Sequence, residues 1–119
     1  MATIDNAILA LDAESNNQVE VIVLCQLTIP QSETQSQFRL ECTVFGNDLI
    51  KDEVIFSYPS QNFSGFNAPT DVRFEKLVSR SALNEDRVGR DEVIGKLTLR
   101  NLTLNKVVKR NTSVVEVAV

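Results

Sequence analysis

From residue 18 to residue 29 apolar and polar positions alternate without a break. Val19, Val21, Val23, Cys25, Leu27 and Ile29 share one parity, the period-two signature of a strand with one buried face. Pro30 ends the run, and Gln31-Ser-Glu-Thr-Gln-Ser36 supplies a polar connection. Phe38, Leu40, Cys42 and Val44 then repeat the pattern, with Arg39, Glu41 and Thr43 on the other side. The simplest arrangement is a hairpin about residues 33–34 that pairs Val23 with Val44, Cys25 with Cys42, Leu27 with Leu40 and Ile29 with Phe38. Its polar face would carry Gln26 opposite Glu41 and Thr28 opposite Arg39. A one-residue slip would turn every apolar side chain to water, so parity is well specified; a two-residue slip keeps the faces, so the exact partners are not.

Glu53-Val-Ile-Phe-Ser-Tyr58 reads as a third strand, stopped by Pro59. Residues 60–70, rich in Ser, Asn, Gln, Gly and Pro, read as a long surface loop. Residues 71–83 fit two patterns. Val72, Phe74 and Val78 suit a strand, while Phe74, Leu77, Val78 and Ser81 fit a helical stripe capped by Thr70; we read a strand. Residues 84–92 are polar and hold a glycine, which predicts a loop. Residues 93–102 alternate again, and a turn near Leu104-Asn105-Lys106 leads into a strand over 107–119. Short strands separated by turns, with no repeat, predict one all-β domain: an antiparallel β-sandwich of seven or eight strands over residues 1–119.

The chain has 119 residues, six Phe, one Tyr, no Trp, and few Gly or Pro, enough for a core without metals or disulfides. The longest apolar run, Val21 to Cys25, is far too short to span a bilayer, which takes about 20 residues. Met1-Ala-Thr-Ile-Asp lacks the basic and apolar stretches of a signal peptide. A cytoplasmic setting is therefore expected, with Cys25 and Cys42 as reduced, buried thiols. The net charge of −4 disfavours nucleic acid as a partner. It is spread unevenly: residues 1–60 hold nine acids and two bases, residues 61–119 seven acids and ten bases. Such asymmetry suits either compensation between neighbouring terminal strands, the commoner case, or head-to-tail packing of copies.

Chemistry is scarce. With no histidine the usual general base, the common catalytic triads and most zinc sites are excluded. Neither cysteine lies where a thiolate would be activated. Carboxylates do occur in adjacent pairs, Asp52/Glu53, Glu85/Asp86 and Asp91/Glu92, but glycosidase-type catalysis needs two facing each other across a deep cleft. A non-enzyme is expected. The informative segment is Asn84-Glu-Asp-Arg-Val-Gly-Arg-Asp-Glu-Val-Ile-Gly95. Asn84, Asp86 and Glu92 are oxygen donors spaced around a glycine turn, a set that could converge on a hard cation. The same residues equally suit a solvated acidic turn bent at Gly89.

This segment resembles the third calcium loop of C2 domains, the calcium- and lipid-binding β-sandwiches. Their pattern there is Asp, any residue, Asp, Arg, four loop residues, an acid, any residue, Ile and Gly. Asn84 stands at the first Asp, Asp86 and Arg87 match, Glu92 takes the place of the last Asp, and Ile94-Gly95 match. Asn47-Asp-Leu-Ile-Lys-Asp-Glu-Val-Ile-Phe-Ser-Tyr-Pro59 is similar to a second family run, matching at Asn47, Phe56 and Pro59 and departing at Asp48 and Ile50. Only Asp12 stands where the first calcium loop would contribute, and the stretch from Pro59 to Asn84 is longer than the family's.

The resemblance implies a C2-like module whose working edge is the 84–92 loop. Asn84, Asp86 and Glu92 would form the metal site, while Arg87, Val88 and Arg90 would meet an anionic lipid or a protein partner. Two carboxylates and a neutral amide offset a divalent ion poorly, so calcium is expected at roughly 10⁻⁴–10⁻³ M or not at all. No other cofactor is expected. The leading expectation is thus a non-enzymatic binding module. The alternative is a self-assembling subunit of shell, tail or filament type, for which the long strand-forming carboxyl end would offer an exposed edge.

Overall fold

The computed structural model describes residues 1–46, 53–83 and 92–116. In chain order the elements are β1 (Thr3–Ala13), β2 (Gln18–Thr28), a 3-10 turn (Gln31–Glu33), β3 (Gln37–Gly46), β4 (Glu53–Ser57), β5 (Gln61–Ser64), β6 (Thr70–Ser79), a one-turn helix α1 (Arg80–Leu83), β7 (Glu92–Asn101), β8 (Lys106–Asn111) and β9 (Val115–Glu116). They form two antiparallel sheets. The first has the order β1-β2-β6; in the second, β3 and β7 lie at the centre. The second sheet's edges are each made of two pieces laid end to end: β4 and β5 along β3, and β8 and β9 along β7. The all-β sandwich is as expected, and the strands number nine among the described residues because both edges are split.

The inward faces follow the alternation in the sequence. Val19, Val21, Val23, Cys25 and Leu27 of β2 are buried together with Phe38, Leu40, Cys42 and Val44 of β3 and Val93, Leu97 and Leu99 of β7. The expected hairpin is not formed, however. β2 pairs with β1 and β6, whereas β3 pairs with β4, β5 and β7. The connection through Pro30 and the 3-10 turn carries the chain from one sheet to the other. Two strands with one apolar face each can bury those faces against one another only if they lie in different layers, and sheets stack about 10 Å apart. A hairpin would have placed both apolar faces on one side, still needing a cover.

Two further expectations are corrected. The 60–70 region is not all loop, because β5 resumes the edge beyond Pro59, pairing Phe63 with Phe38; their rings stack at 5.6 Å. The strand expected over 107–119 breaks at Thr112. There Thr112 N–H donates to Gly95 O at 2.8 Å, and Gly95 N–H donates to Thr112 Oγ1 at 2.9 Å. The strand reading of 71–83 holds through Ser79, after which α1 turns the chain away.

The first strand shows why periodicity misses it. Asn6 and Ala7 together oppose Cys25, because the register steps from Asp5↔Gln26 to Ile8↔Leu24. Asn6 adopts φ 53°, the left-handed conformation that Asn tolerates at a bulge. Ile4 and Leu9 therefore both point inward although they stand five positions apart, an odd interval that would put them on opposite faces of a regular strand. Asn16 (φ 62°) and Asn17 (φ 58°) form the β1–β2 turn by the same tolerance.

A buried tyrosine ties the layers together. Tyr58, just after β4, donates its hydroxyl to Val21 O at 2.6 Å and packs edge-on against Phe56 and tilted against Phe74.

Candidate protein-interaction surface

Five of the six residues picked out in the 84–92 loop, Asn84, Asp86, Arg87, Val88 and Arg90, lie outside the described residues. Glu92 is described. It opens β7, half-buried, in register with Glu116 of β9. Asp12 lies near the far end of β1, in register with Glu20. Among the described residues no group of three or more His, Cys, Asp or Glu side chains could hold a metal ion. No described helix is long and apolar enough to cross a membrane.

What the described residues do assemble is the outer face of the first sheet, a surface that sequence reasoning missed. The register lays four rows across β1, β2 and β6: Asp5–Gln26–Asp71, Ile8–Leu24–Arg73, Ala10–Ile22–Glu75 and Asp12–Glu20–Leu77. The middle of this face is apolar and open to water; Ile8 is 50% exposed and Leu77 48%. Its rim is acidic, with five carboxylates against the single guanidinium of Arg73. Beside the bulge in β1 a groove of about 410 Å³ opens between Asn6, Ile8, Leu24, Gln26, Asp71 and Arg73, with Cys25 at its floor.

The charges on this face interact. Arg73 Nε donates to Glu75 Oε1 at 2.6 Å, and Arg73 Nη2 lies 3.9 Å from Glu20 Oε1. That hydrogen bond lowers the Glu75 carboxyl from its usual range. Glu20 moves the other way, raised by partial burial against the sheet and then by repulsion from Glu75 and Glu14, which outweighs the pull of Arg73. Loss of hydration comes first in that shift, and repulsion among the carboxylates adds to it. Gln26 Nε2 donates to Asp71 Oδ1 at 3.4 Å along the groove wall.

The other outer face is mixed in charge. β3 and β7 direct Arg39, Glu41, Glu92, Lys96 and Arg100 outward, β8 adds Lys109 and β9 adds Glu116, while Lys106 and Arg110 are exposed with the opposite parity, that of Val108. Among the described residues four cations on this face meet three carboxylates, Glu41, Glu92 and Glu116, and Glu41 accepts from Arg100 Nε at 2.6 Å. Val107, outward beside Arg100, is 42% exposed. β1 and β8 approach one another at the side of the sandwich but lie in different sheets.

The cysteines are free and buried, as expected. Burial, with the charge of Asp71 adding, pushes the Cys25 thiol up to about 11. Burial, with Cys25 adding, pushes Cys42 up to about 12. The unfolded chain gives up these protons near pH 9, while the folded one keeps them to about pH 11. The thiols therefore favour the fold below pH 9 and lose that contribution as pH rises towards their folded values. A rise of two units leaves about a hundredfold less thiolate at pH 8, so native-state labelling by a thiol reagent should be at least about a hundredfold slower than in denaturant. Equal rates in the two states would show that the two side chains are not held in the core.

No protein-family model matches this chain, and no curated protein matches it.

Proposed function

We propose that this protein is a non-enzymatic interaction module, and that the outer face of its three-stranded sheet holds a protein surface carrying basic residues around an apolar ridge. The observation that carries this reading is the apolar strip Ile8–Leu24–Ile22–Leu77, left open to water inside an acidic rim. Exposed apolar surface framed by charge is the usual composition of a binding patch. The rim selects the partner's charge and speeds encounter, and the strip supplies the contact.

A second reading keeps the C2-like resemblance, with weak calcium and anionic lipid at the 84–92 loop. One observation favours it. Arg80 N–H donates to Asn17 O at 2.8 Å, so the residues leading into that loop stand beside the β1–β2 turn and Asp12.

A titration of the isotopically labelled protein with a short peptide of alternating lysine and leucine separates the two. The first reading expects amide shifts concentrated at Ile8, Leu24, Asp71 and Arg73, and lost in Leu24→Asp. Shifts with calcium or phosphatidylserine vesicles at residues 84–92, and none with the peptide, would favour the second. Hydrolytic turnover abolished by Asp86→Asn or Glu92→Gln would overturn both.

A further inference from the structure

We infer that two copies of this chain join along the free edge of β6, each pairing antiparallel with the other about a two-fold axis at Phe74. The inference concerns the edge of the three-stranded sheet and stands apart from what its outer face binds.

Among the described residues the sandwich has four sheet edges, and three of them are interrupted. β1 carries the bulge at Asn6, β4 and β5 are parted at Pro59, and β8 and β9 are parted at Thr112. Such breaks keep an edge from pairing with another chain. β6 has none. It runs from Thr70 to Ser79 in unbroken register with β2, and no described strand pairs with its other side. Every second residue there turns its N–H and C=O away from β2, which makes a template for a further strand.

Charge decides which strand fits. β6 presents Asp71, Arg73, Glu75 and Leu77 on the outer face, and Val72, Phe74, Lys76 and Val78 on the inner one. A two-fold axis normal to the sheet keeps both inner faces on one side, so only residues of like parity stand opposite each other. Centred on Phe74, it sets Arg73 opposite the partner's Glu75, and Glu75 opposite the partner's Arg73. Within one chain Arg73 Nε already donates to Glu75 Oε1 at 2.6 Å. The four side chains therefore alternate in sign around the axis. Opposite charges directly across an antiparallel pair stabilise it, and like charges oppose it. Centring on Asp71, Arg73, Glu75 or Lys76 would set that charge against itself. Centring on Val72 or Leu77 avoids this but pairs only residues 70–74 or 75–79, whereas the Phe74 register pairs 70–78. On the inner side Lys76, whose Nζ lies 5.3 Å from the Phe56 ring centre, stands opposite the partner's Val72. The contact is isologous and closes at two copies, giving one six-stranded sheet of order β1-β2-β6-β6-β2-β1.

Light scattering on the intact chain over a wide concentration range tests this. The average mass should rise from 13.3 kDa at about 1 μM to twice that value at about 1 mM. Arg73→Glu alone and Glu75→Arg alone should each stay at 13.3 kDa, because each sets like charges across the axis. An equimolar mixture of the two should dimerise. So should the double exchange, Arg73→Glu with Glu75→Arg, which only reverses each pair. Both side chains are about half exposed, so the variants should fold, and thermal melts check that they do. A wild-type chain monomeric throughout overturns the inference, and this needs no variant. So does association that persists in both single variants, or a folded double exchange that stays monomeric. A monomer whose β6 amides gain protection from exchange only when the lysine–leucine peptide is added overturns it in favour of a foreign strand.

Discussion

Replacing Leu40 by Ala should lower the free energy of unfolding by about 2–5 kcal/mol. Leu40 is 0% exposed, lies inward on β3 and pairs in register with Leu99 of β7. Its neighbours are strands held by ladders on both sides, so the sheets cannot close on the space left behind. The cost is then the lost transfer energy of three carbons plus a residual cavity. In urea the transition midpoint should fall with an unchanged slope. Val107→Ala, on an exposed face, should change stability by less than about 0.5 kcal/mol. A loss for Leu40→Ala as small as that would mean β3 does not face the core.

Asn101→Ala should cost about 3 kcal/mol, through polar groups rather than packing. Glu33, in the 3-10 turn, is only 2% exposed. Its Oε1 accepts from Asn101 Nδ2 at 2.8 Å, and its Oε2 lies 3.7 Å from the amino group of Met1. Asn101 Oδ1 in turn accepts from the N–H of Leu104 at 2.9 Å. One amide thus fastens the connection between the sheets to the end of β7 and shapes the β7–β8 turn. Truncation leaves a buried carboxylate oxygen without its donor and the turn without its acceptor. Because the loss is mostly that of an orphaned partner, Glu33→Ala combined with Asn101→Ala should cost clearly less than the sum of the two single changes. Strict additivity in a double-mutant cycle would show that the two side chains act independently.

The same connection rests on a close backbone approach that composition does not reveal. A Cβ at Gly65 would stand 2.6 Å from Thr34 O and 2.7 Å from Glu33 O, while Gly65 N–H donates to Ser36 O at 2.9 Å. No side chain fits there, so the glycine is a requirement of packing between β5 and the 3-10 turn. In the sequence it looked like one more residue of a surface loop.

By itself the sequence determined the class of fold and which side chains of β2, β3 and β7 face inward, because a strand's period of two converts burial directly into parity. It also determined the absence of histidine chemistry and the unequal charge of the two halves. Only the tertiary structure decided that β2 and β3 lie in different layers, since alternation specifies a face and says nothing about a neighbour. It alone recovered β1, whose bulge at Asn6 reverses parity midway, and β5, whose edge position lets polar residues such as Gln61 and Asn62 form a strand. The charge asymmetry acquired its meaning in the same way. Asp71 and Glu75 come from the basic half of the chain, yet they join Asp5, Asp12 and Glu20 because β6 pairs with β2. The acidic face is a product of strand order, and strand order depends on long-range pairing that no local pattern encodes.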